Sequence, residues 1–373
     1  MKEIMFFIDN LAGGGAEKVL KDIVNNMDYK RYKITVRTLF NEGIYINQLN
    51  ENIKYETCLK KVNKLNKKIM YILIKFLPPK ILYRIFINQK YSIEIAFLET
   101  ASHKIISGST SKSRKISWIH SYIYNSENIH KWFWSKKAFI NSYKKFNNVF
   151  CVSNKVKEGY EKLTKLSNAI TIYNPMPTKD IIIKSKENID INIDKDFFII
   201  SSIGRLEEDK GYLRLLKCIN ELYKQGIKVK LYILGIGSKK KELQEYIKIN
   251  KLQNIVYLLN FQENPYKYII KSNLFISSSF TEGFSLALLE AIILGIPVIS
   301  TNTEGPSEII GKNEYGLLVE NSEKGIYEGL KKVIKDKDFY KTLVENVKSK
   351  DDTFNIDKVI NNIQTAIDGG RKI

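Results

Sequence analysis

The sequence predicts an α/β protein made of two doubly wound, Rossmann-like domains. Three observations predict it. The chain has 373 residues, more than one ordinary core organises. Short apolar runs alternate with longer amphipathic segments in two successive series, the pattern of parallel βαβ units. Between the series lies Asn174-Pro175-Met176-Pro177, followed by a charged, poorly periodic stretch to about Asp196.

The first series opens with an apolar run at Ile4 to Ile8, the turn Ala12-Gly13-Gly14-Gly15, and a helix on which Val19, Leu20, Ile23 and Met27 share a face. Further strands are expected at Ile34 to Leu39, Ile93 to Phe97, Ile116 to Ile119, Val149 to Val152 and Ile170 to Tyr173. The second series runs through Phe197 to Ser202, Val229 to Leu234, Val256 to Leu259, Leu274 to Ser278, Pro297 to Ser300 and Gly316 to Val319. An amphipathic helix at Ile356 to Ile367 ends the pattern. The expected organisation is an N-terminal domain over 1–175, a linker over 176–196, a C-terminal domain over 197–352, and a terminal helix within 353–373 that packs back on the N-terminal domain. Two such domains in tandem are expected to face each other across a cleft.

Composition narrows the class. A hydrophobic fraction of 44% with 12% aromatics excludes a disordered or fibrous chain. The formal charge of +20 points to an anionic partner: nucleic acid, an acidic lipid surface or a phosphorylated substrate. Lys is spread throughout rather than confined to one block, so part of that charge is compositional. No helix-turn-helix, finger or RNA-binding motif accompanies it, and nucleic acid is not expected as a partner. Cys58, Cys151 and Cys218 are far apart and form no CxxC pair, which suggests a reducing compartment and no structural zinc. The apolar run Ile69 to Leu77 contains Lys75 and stops at Pro78-Pro79, far short of the roughly 20 residues that span a bilayer. The run Ile4 to Ile8 is too brief for a signal peptide, and a cytoplasmic protein is expected.

The segment richest in chemistry is Ser277-Ser278-Ser279-Phe280-Thr281-Glu282-Gly283-Phe284-Ser285-Leu286-Ala287-Leu288-Leu289-Glu290, a strand, a polar turn and a helix. The backbone N–H groups of Gly283, Phe284, Ser285 and Leu286 are expected at a helix N-terminus, where unsatisfied donors and the positive dipole end suit a phosphate. Glu282 precedes that end and Glu290 lies about two turns along it; carboxylates there accept hydrogen bonds from sugar hydroxyls. On its own the pattern also reads as a helix-capping acid and a solvated helix residue.

The spacing resembles the Glu-x7-Glu signature of the retaining glycosyltransferases of family 4, whose fold is GT-B. Gly204-Arg205-Leu206-Glu207-Glu208-Asp209-Lys210-Gly211 resembles that family's basic donor-phosphate segment, Leu234-Gly235-Ile236-Gly237 its glycine turn, and Glu304-Gly305-Pro306-Ser307-Glu308 its post-strand loop. The resemblance implies that Glu282 holds donor sugar hydroxyls, that Glu290 holds the nucleotide ribose, and that Arg205 and Lys210 hold the diphosphate in place of a metal. Gly204, Gly235 and Gly283 to Leu286 then line the donor. It further implies retention of anomeric configuration by front-face attack, with no protein nucleophile, no metal and no cofactor.

In the N-terminal half, Gly13-Gly14-Gly15-Ala16-Glu17 is similar to the family's glycine-rich first turn, so Gly14 and Gly15 are donor-site candidates. It is not a GxGxxG dinucleotide fingerprint. His120 follows the strand Ile116 to Ile119, at a carboxyl end where α/β sites form, and is the candidate catalytic histidine; His103 and His130 are weaker. Asp194-Lys195-Asp196 matches a metal-binding DxD pattern, but it lies in the charged stretch and is discounted. From Lys60 to Lys90 the chain carries many cations and no acid among apolar residues, which reads either as an ordinary surface helix or as a segment that lies on an anionic membrane.

The expected function is transfer of a hexosyl or N-acetylhexosaminyl group from a nucleotide-diphosphate sugar, such as a UDP-sugar, to a saccharide or polyprenyl-linked saccharide, in capsule, exopolysaccharide or related glycan biosynthesis. A sugar phosphorylase needs a pyridoxal lysine site and an oxidoreductase a dinucleotide turn, and neither is evident. The alternative is a non-catalytic basic protein that binds a membrane surface or nucleic acid.

Overall fold

The computed structural model describes residues 1–124, 130–189, 191, 194, 196–311, 314–348 and 353–370. In chain order the elements are β1 (Lys2–Ile8), α1 (Gly15–Asn26), β2 (Tyr32–Phe40), β3 (Lys54–Leu59), α2 (Lys64–Phe76), α3 (Pro79–Phe86), β4 (Ile93–Ala96), α4 (Ala101–Ser107), β5 (Arg114–Ile119), α5 (Lys136–Ser142), β6 (Asn148–Cys151), α6 (Asn154–Thr164) and β7 (Ala169–Thr171). They continue with α7 (Thr178–Ser185), β8 (Phe198–Ile203), α8 (Tyr212–Lys224), β9 (Val229–Leu234), α9 (Lys240–Ile249), β10 (Val256–Leu258), α10 (Tyr266–Ile269), β11 (Leu274–Ser277), α11 (Leu286–Ile293), β12 (Val298–Thr301), α12 (Pro306–Ile310), β13 (Gly316–Val319), α13 (Glu323–Lys335), α14 (Lys337–Lys348) and α15 (Ile356–Ile367). The chain divides into Met1–Pro175 with Thr353–Ile373, and Met176–Asp352.

The first unit carries a parallel seven-stranded sheet in the order β3-β2-β1-β4-β5-β6-β7. Its central strand β1 carries the continuous apolar run Ile4 to Ile8, as a parallel sheet covered by helices on both faces requires. Phe6, Phe97, Trp118 and Phe150 form a row across it, with ring centroids 6.1, 4.8 and 5.1 Å apart in turn. The strand order turns back between β1 and β4, and ligands of doubly wound sheets bind outside the carboxyl ends of strands at such a point.

The second unit carries a parallel six-stranded sheet, β10-β9-β8-β11-β12-β13, whose turning point lies between β8 and β11. Leu215, Leu216, Ile219 and Leu222 of α8 pack into its core against Leu231 and Ile233.

Three expectations differ from the structure. Strand β3 was not foreseen: KYETCL is polar at alternate positions, and as the sheet's edge strand it is only partly buried. The stretch read as a linker holds α7, which packs on α10 and α11 in the second unit. The helix expected near Gly283 begins at Leu286, after an extended Ser285 whose side chain makes no capping hydrogen bond.

Candidate functional site

In the second unit the two loops that leave the turning point are joined to each other. Residues 204–211 follow β8 and residues 278–285 follow β11. Ser278 Oγ donates to Lys210 O at 2.9 Å, and Phe280 N to Asp209 O at 2.8 Å. Across this seam Lys210 Nζ donates to Glu282 Oε2 at 2.6 Å, and Ser279 Oγ reaches the same oxygen at 3.3 Å. Both charged side chains are largely shielded, at 20% and 16% exposure, so their attraction is stronger than that of a surface pair. An ammonium has three donors, and the Glu282 contact uses one.

The other expected donor residues lie on the same two loops, on α11 and on the turns after β9 and β12. Glu290, on α11, is buried, and its Oε1 accepts from Tyr266 Oη at 3.2 Å, so it is not the solvated helix residue that its position alone permits. Arg205 is exposed and makes a loose contact with Asp209, Nη2 to Oδ2 at 3.5 Å. Gly305 N donates to Glu282 O at 2.8 Å, which ties the Glu304-Gly305-Pro306 loop to the same turn. Gly235, directly after β9, has φ +149°, and a Cβ there would lie 1.9 Å from Gly204 O. Only glycine permits that backbone and that approach. Gly283, Phe284, Ser285 and Leu286 form the approach to α11, with Phe284 and Ser285 buried.

In the first unit Gly14 caps α1 and Gly15 begins it, but the left-handed residue of that turn is Gly13, with φ +113°. Gly43 backs the turn: its φ is +136° and a Cβ would lie 1.8 Å from Leu11 O. His120 packs against Phe97 with the rings tilted, centroids 4.7 Å apart, and its Nε2 is buried without a partner among the described residues. Burial pushes its pKa down to about 3, so the ring is neutral. His103 is fully buried between Ser117 Oγ (2.9 Å from Nδ1) and Ser142 Oγ (2.7 Å from Nε2), also at about 3, and is a core residue. His130 Nδ1 is buried without a partner among the described residues. In the discounted DxD pattern Lys195 lies outside the described residues, while Asp194 accepts from Lys230 Nζ at 3.1 Å. All three cysteines are free, and burial raises each thiol pKa, Cys58 and Cys218 to about 12.

Three side chains that bear on these sites had not been singled out. Arg214 is buried, donates from Nε and Nη2 to Ser278 O (2.9 and 2.6 Å) and from Nη2 to Ser279 O (2.8 Å), and lies 3.8 Å from the Phe280 ring centroid. It fixes the loop that carries Glu282. Asp9 follows β1 and accepts from Thr100 Oγ1 at 2.8 Å; Glu99, after β4, accepts from His120 N at 3.1 Å and from Ser121 Oγ. Burial raises the pKa of both carboxyls. The available signal was position: Asp9 lies one residue beyond a strand's carboxyl end and Glu99 three, on the two strands flanking the turning point.

Comparison with known proteins gives these loops a context. The family model described as glycosyl transferases group 1 matches residues 184–350. An uncharacterized glycosyltransferase of Methanocaldococcus jannaschii is 34% identical over 209 residues, 48% of this chain and 51% of that protein. The N-acetylgalactosamine-N,N'-diacetylbacillosaminyl-diphospho-undecaprenol 4-alpha-N-acetylgalactosaminyltransferase of Campylobacter jejuni is 36% identical over 190 residues, half of each chain. The chain thus spans about half the length of these curated relatives. The solved structure of Anabaena HepE in complex with UDP-glucose covers 99% of this chain and 100% of its own, with a TM-score of 0.74 at 17% identity, a likeness of fold: two doubly wound units of the GT-B kind. The residues that the glycosyl transferases group 1 model matches take in nearly all of the second unit, so the likeness to that family is carried by that unit.

Proposed function

We propose that this protein is a glycosyltransferase that moves a hexosyl or N-acetylhexosaminyl group from a nucleotide-diphosphate donor, a UDP-sugar, to a hydroxyl of a saccharide or lipid-linked saccharide acceptor, with retention of configuration and without a metal. The observation that carries the reading is the Lys210–Glu282 pair at the turning point of the second sheet, within the residues that the family model matches. UDP-glucose bound to HepE and the diphospho-undecaprenol named for the Campylobacter relative support the choice of donor and acceptor class.

In this reading Lys210 and Arg205 face the diphosphate. The leaving group gains negative charge as the glycosidic bond breaks, and Lys210, a fixed cation in a shielded site, favours that charge. Glu282 accepts from donor sugar hydroxyls while it holds Lys210 in place; Glu290, steadied by Tyr266, accepts from the ribose. Gly204, Gly235 and the Gly283 to Leu286 turn let backbone approach the phosphates. Attack comes from the face that the diphosphate leaves, and a departing phosphate oxygen takes the acceptor proton, so no protein nucleophile is needed. Gly14, Gly15 and His120 are assigned to the donor and acceptor from the first unit, the neutral imidazole as a hydrogen-bond partner for a hydroxyl.

The test is a thermal-shift screen of nucleotide sugars, followed by transfer assays with the stabilising donor and short saccharide acceptors. Donor-dependent product that disappears in Glu282→Ala, with the fold intact, supports the reading. Stabilisation by no nucleotide sugar, or turnover unchanged in that variant, overturns it.

A further inference from the structure

A buried charge is normally paired, because desolvation destabilises a lone one. Arg214 departs from this rule. It is 7% exposed, and every acceptor it meets is neutral: the carbonyls of Ser278 and Ser279, and Asn321 Oδ1 at 2.8 Å from Nη2. No carboxylate pairs with it among the described residues. Burial pulls its pKa below the ordinary arginine value, yet a guanidinium stays charged in a protein. Its Nη1, which carries two N–H groups, reaches no acceptor among the described residues and is not sealed from solvent.

Arg214 lines a cavity of about 350 Å³ that lies wholly within the second unit. The first turn of α8 lines it too. No side chain caps this helix of 13 residues, and the N–H groups of Tyr212, Leu213 and Arg214 find no acceptor among the described residues. Unsatisfied donors at the positive end of a helix dipole, beside an unpaired guanidinium, suit a phosphate. The rest of the lining differs in kind. Phe280, 45% exposed, gives an apolar wall. Four carboxylates stand at the rim, each already engaged: Glu208 and Glu242 with Lys239 (2.6 and 2.8 Å), Glu323 with Lys217 (3.2 Å), and Glu207 with Ser238 N (2.8 Å). Such a rim repels a polyanion but accepts hydrogen bonds from sugar hydroxyls. The cavity therefore calls for one anionic head on a hydroxylated body.

We propose that this cavity binds a sugar phosphate, the phosphate meeting Arg214 Nη1 and the first-turn amides of α8, the sugar lying between Phe280 and the rim carboxylates. Lys210 and Glu282 line a separate hollow, so this is not the donor site. Because Arg214 also holds the Ser278 and Ser279 carbonyls, an occupant steadies the loop that carries Glu282, which makes the cavity a regulatory site. Nothing in this assignment depends on the transfer reaction.

Isothermal titration calorimetry of the full chain with glucose 6-phosphate tests it; the phosphate of this probe is not anomeric, so it does not mimic a nucleotide-sugar donor. Glucose and inorganic phosphate should each bind at least about tenfold more weakly. Leu213→Trp, which fills the cavity and leaves the Arg214 bonds in place, should abolish the binding, whereas Lys210→Ala should keep it. Hydrogen exchange over residues 278–285 should slow when glucose 6-phosphate is present, and exchange that does not slow overturns the regulatory role. Circular dichroism checks that each variant folds. If Leu213→Trp does not, Lys217→Glu, which adds a further carboxylate at an exposed rim position, should weaken binding about threefold or more. No binding of glucose 6-phosphate at millimolar concentration, equal affinity for glucose or inorganic phosphate, full binding by a folded cavity variant, or binding lost in Lys210→Ala overturns the proposal.

Discussion

Lys210 and Glu282 form the most informative contact in the second unit, because each fixes the other at the place where the proposed leaving group would lie. Loss of one preorganised charge contact of this type costs roughly a hundredfold to a thousandfold in turnover. Lys210→Ala should show that loss in kcat with the fold intact, measured by steady-state transfer with a nucleotide-sugar donor; near-normal turnover would remove the lysine from the mechanism. The histidines make a prediction about stability. Burial holds the His103 pKa at about 3, whereas an unfolded histidine titrates near 6.5. Between those values the unfolded state binds a proton that the folded state refuses. The stabilisation is therefore complete above about pH 6.5 and is lost as pH falls through that window, at up to about 1.4 kcal/mol per pH unit. Asp9 and Glu99, whose carboxyl pKa values burial raises, act in the opposite sense. Urea midpoints of the wild type and His103→Gln between pH 6.5 and 5 isolate the histidine: the wild type should fall more steeply.

Among the elements, the loops after β8, β9 and β11 behave as one body. Backbone meets backbone where Gly235 approaches Gly204, and Arg214 draws the carbonyls of Ser278 and Ser279 toward α8. Arg214→Ala would leave buried carbonyls without donors, at a cost of roughly 3 kcal/mol, and would loosen the loop that ends in Glu282. The expected signature is a lower denaturation midpoint together with a kcat loss. Arg214→Lys should restore little of either, because a point-charge ammonium cannot reproduce the planar fork. A kcat unchanged despite lost stability would make Arg214 a purely structural residue.

For the whole molecule, the chain returns to its first unit at the end. Asp368, just past α15, meets Lys2 Nζ at 2.8 Å and Tyr32 Oη at 2.9 Å, and pairs with Arg31, while Gln364 Oε1 accepts from Asp28 N at 2.9 Å. Helix α15 also buries Val359, Ile360, Ile363 and Ile367. At about 1.5–3 kcal/mol for each such side chain, its removal takes away a contribution comparable to the stability of a typical domain. Truncation after residue 352 should therefore destabilise the first unit selectively. Hydrogen exchange should rise over β1 and β2 while β8 and β9 stay protected; unchanged protection in β1 would show that the helix is dispensable.

The sequence by itself determined the two parallel sheets, because strands covered on both faces carry continuous apolar runs, as IMFFI in β1 and LYIL in β9 do. It also determined which loops carry charge and glycine next to those strands, and therefore where Glu282, Lys210, Glu290 and His120 fall along the chain. It missed β3, whose polar edge positions hide the strand pattern, and it set the start of α11 too early, because a polar turn and a first helical turn look alike in one dimension. Only the tertiary structure decided that Lys210 pairs with Glu282, that Arg214 holds the loop that carries Glu282, and that a half-buried Asp9 and a buried Glu99 meet at a sheet's turning point. Those facts depend on which strands become neighbours. Strands β8 and β11 lie about 70 residues apart in the chain and side by side in the sheet, and no local periodicity records that adjacency.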